Sequence, residues 1–288
     1  MVALLALTTA LLWGLADFGG GLLTRRIPAA TVVVASQAIA AVVLGAIVIA
    51  TGAWREAGPQ LWYAAAAGAV GPVALLCFYR ALALGPMGVV SPLGSLGVAV
   101  PVCLGLLLGE RPGVLPFAGV GVAVAGIVLA GGPELRGAPV QRQAIALTLT
   151  AAFGFGAVMA LIAEASSTVS GLFLALFVQR VTNVAIGAAA LYVSVRRGGR
   201  ALPEEGGMRV IRSALPPLAF VGLADVAANG TYSLAAQAGP VTVAAVLANL
   251  YPVVTVLAAL VLLRERLRVI QAAGAGLALV GTVLLATG

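Results

Sequence analysis

Gly119-Val-Gly121-Val-Ala-Val-Ala-Gly126 and Gly274-Ala-Gly276-Leu-Ala-Leu-Val-Gly281 are one small-residue pattern written twice, 155 residues apart. The same offset pairs Leu107-Leu108-Gly109-Glu110-Arg111 with Leu262-Leu263-Arg264-Glu265-Arg266. An offset of 154 pairs Gly85-Pro86 with Gly239-Pro240. Near the two starts, Leu7-Thr8 and Trp13-Gly14 pair with Leu147-Thr148 and Phe153-Gly154. The chain therefore divides into two copies, residues 1–132 and 143–288. The glycine pairs mimic a dinucleotide-binding fingerprint, but they sit in apolar helical stretches and follow no strand, so that reading fails. Small residues that let helices approach closely explain them instead.

Composition fixes the solvent. Of 288 residues, 62% are hydrophobic and 9% charged, whereas a soluble domain carries roughly a quarter charged residues. The chain cannot cover a soluble core, and a bilayer is the medium that fits it. A spanning helix takes about 20 apolar residues, and the apolar runs predict ten spans. They cover residues 2–21, 29–51, 61–84, 87–108, 113–131, 143–163, 169–195, 213–236, 241–262 and 268–287. Gly, Pro and charge punctuate them, and only Arg196–Gly207 is long enough for a real extramembrane loop. The first span lacks a basic leader and contains Asp17, so it reads as a helix and not as a signal peptide. Cys77 and Cys103 fall in apolar runs and read as packed thiols.

Each copy holds five spans, an odd number, so the second copy enters the membrane from the opposite side. The expected fold is an all-α polytopic membrane protein with ten transmembrane helices in two inverted five-helix repeats. Inverted repeats are the architecture of secondary transporters, which expose a midplane site alternately to each side. The repeated marks carry a family resemblance. They are the aromatic-Gly pairs Trp13-Gly14 and Phe153-Gly154, the leucine runs ending in Glu110 and Glu265, and the closing glycine-rich helices. Over its full length the chain resembles the EamA family of the drug/metabolite transporter superfamily, and within it the ten-helix exporters of amino acids and small metabolites. The resemblance implies a multi-pass protein of a bacterial inner membrane whose cavity is lined by spans one, three, four, six, eight and nine.

All sixteen basic residues are Arg, and the net charge is +7 with no His. Twelve arginines lie in or beside odd-numbered loops, Arg55 and Arg111 in even ones, and Arg80 and Arg180 inside spans. The positive-inside rule then puts the odd loops in the cytoplasm and both termini outside. The resemblance implies the opposite, with both termini in the cytoplasm. The arginines are scattered over loops and not clustered on one exposed face, so nucleic acid is not an expected partner. The expected partners are the lipid bilayer and a small-molecule substrate, and the sequence is compatible with a monomer or a homodimer.

Ionisable groups inside spans cost about 2.5–3.5 kcal/mol each on insertion scales and are functional candidates by default. Asp17, Arg80, Arg180 and Asp225 are in this class, while Glu164 ends span six and reads as solvated. Arg180 lies near mid-bilayer. It reads either as a carboxylate contact or gate, or as a buried cation paired with an acid. The resembled family often has Arg here in both halves, and the first half offers Gln37 instead. Asp225, with Asn229 one turn on, can bind a substrate ammonium, hold a proton, or simply pair with Arg80 or Arg180. It is preferred to Asp17, which lies near the end of its span. Trp13, Tyr79, Ser91, Ser95, Tyr232, Asn249 and Tyr251 complete the cavity candidates, each of which can equally serve packing. Pro92, Pro101 and Pro252 are expected to break spans four and nine and free backbone carbonyls beside the cavity. The sequon Asn229-Gly230-Thr231 lies within a span and is expected to be inert.

The absence of His excludes a Ser–His protease and His-ligated metal chemistry. The two intramembrane aspartates lack the surroundings of an aspartyl protease. A channel would want rings of like charge or a filter. No enzyme activity, cofactor or metal is expected. The expectation is alternating-access export of small organic metabolites, amino acids first, with drugs, sugars and nucleotide-linked metabolites as the other solute classes. Proton coupling is assigned to Asp225.

Overall fold

The computed structural model describes residues 1–98, 100, 115, 118–119, 121–122, 125–126, 129, 141–166, 168–238, 247–264 and 269–286. Glu110, Glu265, Gly239-Pro240, Pro101, Cys103, the end of span four and most of span five lie outside the described residues. The described helices are α1 (Val2–Leu23), α2 (Ala29–Thr51), α3 (Leu61–Leu84), α4 (Met87–Gly94), α5 (Arg142–Ala165), α6 (Val169–Arg196), α7 (Gly207–Ser213), α8 (Leu215–Ala238), α9 (Tyr251–Leu262) and α10 (Val269–Ala286). Among the described residues, five helices are long and apolar enough to cross a membrane. The pair α7 and α8, bent by 53°, makes a sixth crossing, and shorter apolar helices cover Tyr251–Leu262 and Ala272–Leu284. The architecture is all-α and polytopic, built as two five-helix copies in inverted order. Helix α7 is a difference from the sequence expectation. Its Met208, Arg209 and Arg212 are exposed and none of its residues is buried.

Helix packing obeys the repeat. Helix α1 lies against α8, and its counterpart α5 lies against α3. The α2·α6 pair is its own counterpart, α3·α6 mirrors α2·α8, and α1·α9 mirrors the contact of α5 with the segment after α4. Exchanging the halves leaves this packing scheme unchanged, as a pseudo-two-fold requires.

Close contacts show which residues correspond. A Cβ on Gly68 would strike the carbonyl of Gln179, and one on Gly222 the carbonyl of Ser36. These contacts exchange at offsets of 154 and 143 residues. A Cβ on Gly14 would meet Val254 and the Tyr251 carbonyl, and one on Gly156 would meet Val100 and the Gly97 carbonyl. The structural counterpart of Trp13-Gly14 is thus Phe155-Gly156, not the Phe153-Gly154 matched in sequence. The stretch Phe-Gly-Phe-Gly offers both registers, and a two-residue step on a helix turns a side chain to the far face. Phe153 accordingly points outward and is exposed. The repeated glycine helices also meet, since a Cβ on Gly126 would collide with Ala278 and the Gly274 carbonyl.

The interior is inverted relative to a soluble protein. Val42, Ile49, Val73 and Val261 are exposed, while Thr9, Ser36, Gln37, Thr148, Thr255 and Thr282 are buried. Threonines join helices where the side chains are small. Thr9 Oγ1 shares a hydrogen bond of 2.8 Å with Thr231 Oγ1, and Thr255 Oγ1 donates to the Gly14 carbonyl at 3.0 Å. A core of Phe18, Phe78, Tyr79, Leu82, Met87 and Leu218 fills one end of the bundle. Exposed Trp54 and Trp62 flank the α2–α3 connection, with Arg55 over the Trp54 ring, as interfacial aromatics do.

Candidate functional site

Two interrupted helices open the middle of the bundle. Helix α4 gives way to a 3-10 segment at Ser95–Val98. Span nine is broken at Asn249-Leu250, where α9 begins. The breaks fall at Ser95 and Asn249, again 154 residues apart. Pro92 precedes the first break by three residues. Pro252 does not itself break span nine, because it sits in the first turn of α9, where its missing N–H is no loss. Discontinuous helices meeting at mid-membrane are the usual setting of a transporter site.

Between the halves lies a cavity of about 130 Å³, room for about four waters at the roughly 30 Å³ each takes in the liquid. Its lining comes in corresponding pairs with different chemistry. On one wall stand Trp13, Asp17, Asp225, Asn229, Asn249 and Tyr251. At the matching places of the other wall stand Phe155, Gly71, Leu75, Ser95 and Gly97, with Val158 one residue short of the place that corresponds to Asp17. Gln179, Arg180 and Asn183 of α6 complete the enclosure. One wall is acidic and aromatic, and the other is apolar and small.

Arg180 anchors the polar side. Its Nη1 lies 2.9 Å from Asp225 Oδ2 and donates to Gln37 Oε1 at 2.6 Å. Gln37 Nε2 donates to Asp225 Oδ2 at 3.4 Å, and Asn229 Nδ2 donates to Asp225 Oδ1 at 3.1 Å. Gln37 and Arg180 occupy corresponding positions, so the pseudo-two-fold passes between them. A second arginine at residue 37 would face Arg180 across it as a like charge in low dielectric, and the neutral amide avoids this.

Asp225 and Asp17 reverse their expected standing. Asp225 is enclosed by Arg180, Gln37 and Asn229, so the pairing with Arg180 is what the structure places there. Asp17 lines the cavity with no hydrogen-bond or ion-pair partner among the described residues, within electrostatic reach of Asp225. The predicted span 2–21 puts it near the end, within reach of water, but α1 runs on to Leu23 and the neighbouring helices leave Asp17 half-buried.

Trp13 and Tyr251 present their rings to the cavity beside Asp17, with centroids 6.1 Å apart in an edge arrangement. Tyr232 supports them from outside the lining, its ring centroid 5.9 Å from that of Trp13. Ser95 is in the lining, where it donates to the Pro92 carbonyl at 2.7 Å and shares a hydrogen bond with Thr282. Asn249 lines the cavity at the break in span nine.

Three candidates fall elsewhere. Tyr79 is buried against Gly20 and Phe78 in the core. Ser91 is fully buried on α4 outside the cavity lining. Arg80 is exposed on α3 four residues before its end, where its long side chain can reach the interface, and it pairs with neither aspartate. Sequence reasoning missed Gln179 and Asn183. Their signal was spacing, since with Arg180 they fall on one side of a single helical turn otherwise rich in apolar residues.

Comparison with known proteins agrees with this fold. The chain is similar in fold to a protein of known crystal structure, with a TM-score of 0.62 at 19% identity, over 99% of this chain and 97% of that one. No curated protein matches. Residues 1–132 and 142–287 each match the EamA-like transporter family, and with both halves matched the chain belongs to that family.

Proposed function

We propose that the protein exports amino acids across the inner membrane by alternating access, with the cavity between its halves as the solute site. One observation carries this reading: Asp17, an acid without a counterion among the described residues, lines the cavity beside the Trp13 and Tyr251 rings, opposite an already paired Arg180. An unpaired carboxylate flanked by aromatic faces is a site for an ammonium group. A carboxylate kept in low dielectric needs a cation or a proton, so each transport cycle must bring one. The apolar wall of Leu75, Phe155 and Val158 receives a side chain. The close helix pairs α1·α8 and α3·α5 each join the two copies, so rocking takes place between a wall built on α1, α8 and α9 and one built on α3, α4 and α5.

The test is flux. Purified protein in liposomes loaded with a panel of labelled amino acids should release a subset of them, and Asp17→Asn should abolish that release. A second reading follows from the same unpaired group, with Asp17 in place of Asp225 as the site of proton coupling. An imposed pH gradient should then drive flux in the wild type but not in Asp17→Asn, while Asp225→Asn should keep the gradient response. Undiminished, gradient-driven flux in Asp17→Asn would remove both readings.

A further inference from the structure

Gln179, Arg180 and Asn183 line the cavity from one turn of α6 and carry buried hydrogen-bonding atoms without a partner. The three residues are 3%, 4% and 1% exposed, yet Gln179 Oε1, Arg180 Nε and Asn183 Oδ1 have no partner. Buried polar atoms are nearly always satisfied, and a cluster of exceptions calls for an explanation. Arg180 narrows it. Nη1 is engaged by Gln37 and Asp225, and no hydrogen bond is recorded to Nε or Nη2 among the described residues. Nε and Nη2 form the side-on edge of the guanidinium, whose two parallel N–H groups match the two oxygens of a carboxylate. The side-chain amides flanking Arg180 present NH₂ groups to an anion after rotation about their last torsion. Room for one of them comes from Gly71 on the facing helix, where a Cβ would approach Asn183 Nδ2 to 2.7 Å.

We propose that Gln179, the Nε/Nη2 edge of Arg180 and Asn183 form a carboxylate subsite for the transported solute. This deepens the amino-acid reading above and rests on it, because it makes the carboxylate a requirement. The ammonium lies at Asp17 and the carboxylate at α6, so the solute spans the cavity as a zwitterion. Charge selects carboxylate over phosphate. The described lining holds one cation, already shared with Asp225, and two acids, which is too little positive charge for a phosphate dianion.

Each amino acid that the reconstituted protein transports is set in competition against its own amide and its decarboxylated amine. The wild type should prefer the free acid by about a hundredfold, two factors of ten for a lost bidentate charged contact. Asn183→Asp, near-isosteric but repulsive to an anion, and Gln179→Leu should each reduce that preference at least tenfold and leave inhibition by the decarboxylated amine, which carries no group to the subsite, unchanged. Thermal unfolding in detergent verifies that both variants fold. Equal competition by acid, amide and amine in the wild type overturns the subsite while leaving the carrier reading intact. Variants that weaken acid and amine alike show that the three side chains hold structural water only. If no amino acid crosses in the wild type, the amino-acid reading falls and the subsite with it.

Discussion

Replacing Asp225 by Asn should destabilise the folded protein, and removing Arg180 as well should restore it. The Arg180 and Asp225 side chains are 5% and 19% exposed, with 2.9 Å between Nη1 and Oδ2. Breaking a buried pair by deleting one charge costs about 3–5 kcal/mol, because the other charge stays behind uncompensated. Asp225 touches the cavity, and Gln37 Oε1 still accepts from Nη1 in the variant, so the lower end, about 3 kcal/mol, applies. At roughly 2–4 °C per kcal/mol for a chain of 150–250 residues, the midpoint should fall by about 6–12 °C. Arg180→Met alone should cost a comparable amount by leaving Asp225 close to Asp17. The double variant R180M/D225N buries no unpaired charge at either position and should lie within about 1 kcal/mol of the wild type, as replaced buried pairs commonly do. Thermal unfolding of the four proteins in one detergent reads the cycle directly. A D225N midpoint within 1–2 °C of wild type, or a double variant that loses the sum of both singles, would refute the pairing.

Gly68→Val and Gly222→Val should act alike, since each places a side chain against a backbone carbonyl of the facing helix. Each should cost at least about 1–3 kcal/mol of overpacking, seen as loss of the monodisperse peak in size-exclusion chromatography, and a normal peak from either would disprove the close approach. Arg80→Gln removes an exposed charge remote from the cavity, so initial transport rates should stay within twofold of wild type; a large loss would return Arg80 to the site. With Cys77 and Cys103 replaced by Ala, single cysteines at Arg55 and Arg200 should label from opposite faces of the membrane. The arginine bias places Arg200 on the cytoplasmic side, and labelling of both from one face would break the inverted repeat.

The fold was legible because span length and repetition are properties of composition. Apolar runs mark helices in a bilayer with little competition from other structures, and α2, α3, α6 and α10 fall within a residue or two of the runs that announce them. What periodicity could not supply was rotation. Phe153 and Phe155 are equivalent in sequence, but only the second faces the cavity. Arg80 and Arg180 carry equal insertion costs at the sequence level, yet the first is exposed near the end of a helix and the second buried between two halves. Asp17 and Asp225 end the same tetrapeptide, Gly-Leu-Ala-Asp, and differ only in which helix passes opposite. Beside Asp225 pass α2 with Gln37 and α6 with Arg180, whereas Asp17 meets no cation among the described residues, which is tertiary information. Gln179 and Asn183 look like ordinary polar residues until burial removes every partner from their outer atoms.

The chemistry of the cavity follows from where the two copies diverge. Gly71 corresponds to Asp225, Leu75 to Asn229, and Gln37 to Arg180 at the offsets fixed by the glycine contacts. A symmetric pair of halves carrying both Arg and Asp would bury two ion pairs at the axis, each with a desolvation penalty that its attraction barely repays. Such a cavity would be neutral and fully self-paired, with nothing left to hold a solute. With Gly at residue 71 and Gln at residue 37 there is one pair, shared across the axis by Arg180 and Asp225. Gly71 makes room for Asn183. The backbone symmetry lets the halves exchange inward and outward arrangements at similar energy, while the broken side-chain symmetry leaves Asp17 on one wall and the free edge of Arg180 on another. A Gly71→Asp substitution puts an acid at the place that corresponds to Asp225 and tests this division. It should occupy the free guanidinium edge, fill the space beside Asn183, and abolish solute binding in a protein that still inserts and folds.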